Sequence, residues 1–273
     1  MSFPIASVFE FRGDPSTAER YSVFHCLRLS VFQIRAVFLL GAVSNSSLQE
    51  ALAFEHALYQ DTVQGDFLDT YQNLSLKGVL GFRWISQYCA RARHVIKMDD
   101  DVFFDTYKIL FRYRGFLEGH PQRSILCNVW VRNTMPIARE GDSKWMVDKR
   151  HFQGSERFPY HYCSGFAVVL SGDLVPSLYQ AAFFAPVFWI DDIYLFGMLP
   201  ALADNVTMLH LGYEDRYMVM DTGAAIRCME EKLHRCPVLA TMCYTRDDWE
   251  TMWNITYHLH VDTEWRVPYV NVV

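Results

Sequence analysis

The chain has 273 residues, 51% of them hydrophobic and 21% charged, which is enough to bury a sizeable core in one large domain or two small ones and excludes a disordered protein. Its net charge of −6 argues against a nucleic-acid binder, which would carry a basic face. No apolar run is long enough to read as a membrane span, because the best candidate, "FHCLRLSVFQIRAVFLLGAV", is interrupted by Arg28 and Arg35. The opening "MSFPIASVFEFRGD" also lacks the basic start and continuous apolar centre of a cleavable signal, so on these grounds alone the chain reads as cytosolic.

In chain order, "FHCLRLSVFQIRAVFLLGAV" reads as a helix followed by a strand buried on both faces, Ala36 to Val43. A serine-rich cap then leads into a helix carrying Leu48, Leu52 and Glu55. An extended acidic stretch follows, and a helix runs from near Leu74 toward Arg91. "HVIKM" is a strand that meets Asp99, Asp100 and Asp101, with a helix expected from about Asp105. Ser124 to Trp130 reads as a strand, and Arg132 to Pro159 as a long loop or hairpin region. "GFAVVLS" is a strand, a helix begins near Leu174, and "DDIYLFGMLPALA" is a helix opened by two acids. Val206 to Leu211 and "VLATMCY" are strands, and "RDDWETMWNITYHLH" is a closing helix. Alternating strands and helices without repeats or linkers predict one α/β domain with a mostly parallel sheet, and a ligand crevice at the carboxyl ends of its strands.

Three features of this pattern carry chemistry. Three consecutive carboxylates repel one another, and at a strand end they suit a hard divalent cation, Mn²⁺ or Mg²⁺, although the same acids could cap the next helix. Asp191 and Asp192 follow aromatic residues and open a helix. They read either as a charge pair complementing the helix dipole or as a general base with a raised pKa. Four Asn-x-Ser/Thr sequons, at Asn45, Asn73, Asn205 and Asn254, lean toward the secretory pathway. The seven cysteines allow disulfides or buried thiols, but their spacing does not suit zinc.

Five segments in order, "VFLLG", "DTVQGDFLDTYQNLSLKG" after Glu55, "KMDDDVFF", "FPYHYCSGFAVVLS" and "DDIYLFGM", resemble the inverting β-1,3-glycosyltransferases of family 31, from about Ala36 to His260. The resemblance implies a GT-A type, Rossmann-like domain over residues 36–262, with an atypical segment 1–35 before it and a tail 263–273 after it. It implies a UDP-sugar donor of galactose or N-acetylglucosamine, a glycan acceptor, and Mn²⁺ or Mg²⁺ as cofactor. Asp101 and Asp99 are then expected at the metal, and Asp99, Asp100 and Lys97 at the nucleotide sugar. Asp192 is expected as catalytic base with Asp191 as its alternative. Tyr162, Ser164 and Gly165 are expected to line the substrate cleft; Trp130, Trp145 and Trp189 are candidates for stacking on sugar faces, with core packing the alternative duty for at least two of them. The family implies a type II membrane protein of the Golgi lumen, its anchor in an N-terminal segment not present in this sequence.

Two departures accompany the resemblance. Residues 1–35 do not show the family's "R-x-x-I-R-x-T-W"-like segment, and Tyr244 stands where many members carry a metal-ligating histidine, with His210 as a spatial substitute. They leave open a relative that binds nucleotide or glycan without turning it over. A metal-dependent phosphoryl-transfer enzyme is further away, because no phosphate-cradling glycine loop is present.

Overall fold

A computed structural model of the chain describes residues 22–28, 33–109, 119, 121–211 and 217–259. The strands, in chain order, are β1 (Ser22–Arg28), β2 (Gln33–Ala42), β3 (Thr62–Leu68), β4 (His94–Asp99), β5 (Val102–Phe104), β6 (Ser124–Cys127), β7 (Val129–Trp130), β8 (Tyr162–Cys163), β9 (Ala167–Ser171), β10 (Thr207–His210), β11 (Met218–Val219) and β12 (Ala240–Met242). Seven of them form the main sheet, in the order β10-β6-β9-β4-β1-β2-β3. The sheet is mixed, not mostly parallel as expected. β2–β3 and β6–β10 pair in parallel, whereas β1 and β9 each run against both neighbours.

The reason for the antiparallel β1 is connection length. Four residues separate β1 from β2, and a parallel crossover needs about a dozen or more. This also corrects the reading of "FHCLRLSVFQIRAVFLLGAV" as helix then strand. Its first part is β1, paired along its length with β2 and β4, and β2 begins at Gln33, before the expected Ala36. A central slot between two strands overrides a local helical pattern, because the backbone groups of both neighbours must be paired.

The helices are α1 (Ser46–Tyr59), α2 (Leu74–Tyr88), α3 (Val175–Ala181), α4 (Asp191–Ile193), α5 (Leu199–Leu202), α6 (Thr222–Lys232) and α7 (Arg246–Tyr257). Asn45 caps α1, its side-chain oxygen accepting from the N–H groups of Ser47 and Leu48. Thr245 and Asp248 form a reciprocal capping box on α7. A π turn, Tyr194–Met198, joins α4 to α5. Pro200 stands just beyond it, so a widened turn falls where proline has no N–H for regular helix bonding. The sequence pattern did not announce α6, which Asp221 caps through the N–H of Ala224.

One face of the main sheet packs Val37, Leu39, Val95, Val168 and Leu170 against Phe82 and Ile85 of α2 and the Tyr194–Leu199 segment. The other face packs Ile96, Met98 and Val169 against the three-stranded sheet β11-β12-β5. Strand β4 therefore has both faces buried, as its unbroken apolar run required. The expected strand from Ser124 to Trp130 is divided. Its second part, β7, leaves to pair with β8. The helix expected at Asp105 is preceded by β5, whose pairing with β12 carries the chain into the smaller sheet.

Candidate active site

β2, β4, β6 and β10 all point the same way, so their carboxyl ends share one rim of the main sheet. The acid triplet lies on that rim. Asp99 is the last residue of β4, and Asp100 and Asp101 make the turn into β5. The turn is fixed from both sides: Asp99 N–H donates to the carbonyl of Phe166 (3.1 Å), and the carbonyl of Asp101 accepts from Cys243 N–H (2.7 Å). Tyr244, next along the chain, thus leaves β12 beside the triplet with its side chain exposed. His210 ends β10, three strands from β4, or roughly 14 Å at ordinary strand spacing, and its Nδ1 accepts from Val129 N–H. It does not stand in for the family's histidine at the triplet.

The second acid pair faces the first across a single lysine. Side chains alternate along a strand, so Lys97 and Asp99 of β4 project from the same face. Lys97 is 1% exposed, and its ammonium donates to Asp99 Oδ1 (2.5 Å) and to the carbonyl of Gly165 (2.7 Å), with Asp191 Oδ2 at 3.7 Å. Gly165 precedes β9, which runs antiparallel to β4, and this brings its peptide to the same rim. Gly165 lies directly against the Asp192 carboxylate. A β-carbon at Gly165 would lie 2.0 Å from Asp192 Oδ1, so only glycine lets backbone and carboxylate approach this closely.

The electrostatics follow from this crowding. Burial, then the neighbouring Asp191, pushes the Asp192 carboxyl up to about 8. Burial also raises Asp191, with Lys97 opposing the shift and Asp99 adding to it. Burial disfavours the Lys97 cation, but Asp99, Asp191 and Asp192 outweigh that and hold its pKa above the usual lysine value. The phenol of Tyr162, buried and close to Asp192, is raised too.

The remaining sequence-named residues surround this cluster. Tyr162 lies on β8, and the neighbouring Cys163 forms a disulfide with Cys127 of β6. Ser164 N–H donates to the carbonyl of Asn128 (2.9 Å). Trp189, two residues before Asp191, meets Tyr71 at a ring separation of 6.2 Å, and Trp145 Nε1 donates to Tyr71 Oη (3.1 Å). Lys144 lies over the Trp145 ring at 4.6 Å. Two tryptophans distant in sequence are thus joined through Tyr71, which sequence reading did not single out. Its only signal was its place in the "DTYQNLS" segment. Trp130 pairs with Tyr162 across β7 and β8.

Among the described residues, no three His, Cys, Asp or Glu side chains form a ready-made metal cage. Asp99, Asp100 and Asp101 nevertheless offer hard oxygen donors only, on an open turn. That donor set fits a dication that keeps several waters and shares itself with substrate phosphates, rather than one enclosed by protein.

Comparison with known proteins fits this arrangement. Residues 19–209 match the galactosyltransferase family model. The chain is 32% identical over 170 residues to UDP-GalNAc:beta-1,3-N-acetylgalactosaminyltransferase 1 of Rattus norvegicus, covering 60% of this chain and 48% of that protein. It is 33% identical over 165 residues to beta-1,3-galactosyltransferase 2 of Mus musculus (60% and 38%) and 30% identical over 178 residues to beta-1,3-galactosyltransferase 5 of Pan troglodytes (65% and 58%). The chain spans about half the length of the curated relatives it matches.

Proposed function

The chain belongs to the galactosyltransferase family, and from that premise we propose that it is a hexosyltransferase. It moves galactose or an N-acetylhexosamine from a UDP-sugar to a glycan hydroxyl in β-1,3 linkage, with inversion. The observation that carries this reading is the meeting of two acid groups at one rim. An open triplet of oxygen donors lies one lysine away from a carboxyl pair whose second member, Asp192, has its pKa pushed up to about 8. A base of that strength, close to the working pH, suits removal of a proton from a sugar hydroxyl.

In this mechanism Asp192, packed against Gly165, accepts the proton of the acceptor hydroxyl as its oxygen attacks the anomeric carbon. The bond to UDP breaks on the opposite face, so an α-linked donor gives a β-linked product and no covalent enzyme intermediate forms. Asp101 and Asp99, with Asp100 beside them, would hold Mn²⁺ or Mg²⁺, which when bound offsets the charge of the departing diphosphate. Trp189, Trp145 and Tyr71 offer aromatic faces for a sugar ring.

The relatives' names, one for UDP-GalNAc and two for galactosyl transfer, support a donor of this class. The setting proposed is the Golgi lumen, which suits the disulfides Cys127–Cys163 and Cys228–Cys236. No helix among the described residues is long and apolar enough to cross a membrane. The test is calorimetric titration of UDP with Mn²⁺ and again with EDTA, followed by UDP release from UDP-galactose, UDP-GlcNAc and UDP-GalNAc with and without glycan acceptors. Metal-dependent binding with acceptor-stimulated release is expected. A folded chain that binds UDP under neither condition would overturn the enzyme reading.

A further inference from the structure

Three buried lysines among the described residues pair with carboxylates, and they differ in what they join. Lys77 meets Asp69, whose other oxygen accepts from Gly41 N–H, and Lys108 meets Asp105 and the carbonyl of Val238. Each of these ties one carboxylate to nearby backbone. Lys97 reaches carboxylates of two separate segments, Asp99 at the end of β4 and Asp191 at the start of α4. It also takes the carbonyl of Gly165, the residue that lies against Asp192.

We propose that Lys97 is a positioning residue. Its ammonium sets the distance between the donor-side carboxylate Asp99 and the acceptor-side pair, reaching Asp191 directly and holding the carbonyl of Gly165, which packs against Asp192. This rests on the proposed transferase reading of the same site. Lys97 has no path to the reacting atoms, since it lies 1% exposed beneath the rim. In this layer, beside Val95 and Val168, a whole ion pair could be replaced by apolar residues of similar volume without loss of stability, but removing the lysine alone leaves its carboxylates unpaired. What an apolar residue could not do is keep three carboxyl groups from separating. Asp99, Asp191 and Asp192 are mutually repulsive, as the raised pKa of Asp192 reflects. A base held in the wrong place by about 1 Å costs roughly 100-fold in turnover.

Gly165 lies between the lysine and the base: its carbonyl receives Lys97, and an added β-carbon would lie 2.0 Å from Asp192 Oδ1 and 3.4 Å from Lys97 Nζ.

The test compares wild type, Lys97→Met, Asp192→Asn and the double variant by turnover at saturating UDP-sugar and acceptor, by UDP binding with Mn²⁺, and by thermal midpoint. Lys97→Met should fold and should still bind UDP with Mn²⁺, more weakly than wild type because Asp99 loses its partner, while kcat at saturating substrates falls about 100-fold. In the Asp192→Asn background the same change should cost little further residual turnover, because the lysine acts through the base. A Lys97→Met kcat within about threefold of wild type, or a loss that simply adds to that of Asp192→Asn, would overturn the inference. If Lys97→Met does not fold, Lys97→Arg takes its place. It keeps the charge, but its planar head cannot meet Asp99, Gly165 and Asp191 together, so kcat should fall at least tenfold with UDP binding retained. Unchanged kcat there overturns the inference equally. A wild-type chain that turns over no nucleotide sugar overturns the transferase reading and this inference with it, whereas an active wild type with an indifferent Lys97 variant overturns the inference alone.

Discussion

Asp191 and Asp192 show how one residue's neighbours decide its chemistry. Adjacent carboxyls at a helix start are ordinary on a surface, where water and the helix dipole stabilise their charge. Here burial and mutual repulsion push Asp192 up to about 8. A carboxyl raised in the folded state favours the protonated form, so its contribution to stability is complete below the ordinary carboxylate pKa, near 4, and is lost as pH rises toward 8. Asp192→Asn should therefore flatten the fall in thermal midpoint between about pH 4 and pH 8 and leave the variant a few °C more stable at pH 8. Its turnover should drop by about 10²–10⁴-fold with UDP binding intact. Thermal scans across pH, beside a UDP-release assay, check both. The sequence pointed to the acid pair, but its two members were told apart only by resemblance. The contact with Gly165 distinguishes them physically, and it joins residues 27 positions apart, beyond the reach of any local pattern.

At the scale of elements, the site hangs on how two short pieces of strand are tied. β6 belongs to the main sheet, while among the described residues β8 pairs only with β7, and the Cys127–Cys163 disulfide joins β6 to β8 just before Ser164 and Gly165. Closing a loop of 36 residues stabilises by about 3–4 kcal/mol in the chain-entropy account. The double variant Cys127→Ala/Cys163→Ala should lose stability of that order in urea unfolding, and its turnover should fall further than the loss of folded protein explains. The expectation from sequence left disulfides and buried thiols both open, because cysteine spacing does not encode which pairs meet. The same limit explains the misread start of the sheet. A segment with apolar residues at mixed spacing was assigned to a helix, and the vacant edges of β2 and β4 made it β1. Strands such as β4, apolar on both faces, were legible because burial on both sides leaves an unbroken run.

For the whole molecule, the four sequons become unequal once folded. Asn205 and Asn254 are exposed, and Asn45 uses its side-chain oxygen to cap α1, leaving its amide nitrogen to carry a glycan. Asn73 differs: its amide nitrogen donates to the carbonyl of Leu68, and Ser75, the third residue of its sequon, is fully buried and donates to the carbonyl of Phe188. A chain passed through the secretory pathway should carry glycans at Asn45 and Asn205 and none at Asn73. Mass spectrometry of deglycosylated peptides in heavy-oxygen water reads this directly, and occupancy at Asn73 would contradict it.

By itself the sequence determined which chemistry is available: oxygen donors at the end of a buried strand, a second acid pair at a helix start, and aromatic residues beside it. Those are local facts, set by side-chain type and by the periods of strand and helix. Tertiary structure alone decided the direction of β1, the mixed pairing of the sheet, the cysteine partners, and the meeting of Lys97 with Asp99, Asp191 and Gly165. The last of these joins residues 68 positions apart. Such contacts follow from which surfaces can be buried together and which polar groups must then be paired, and neither condition is written in any short stretch of chain.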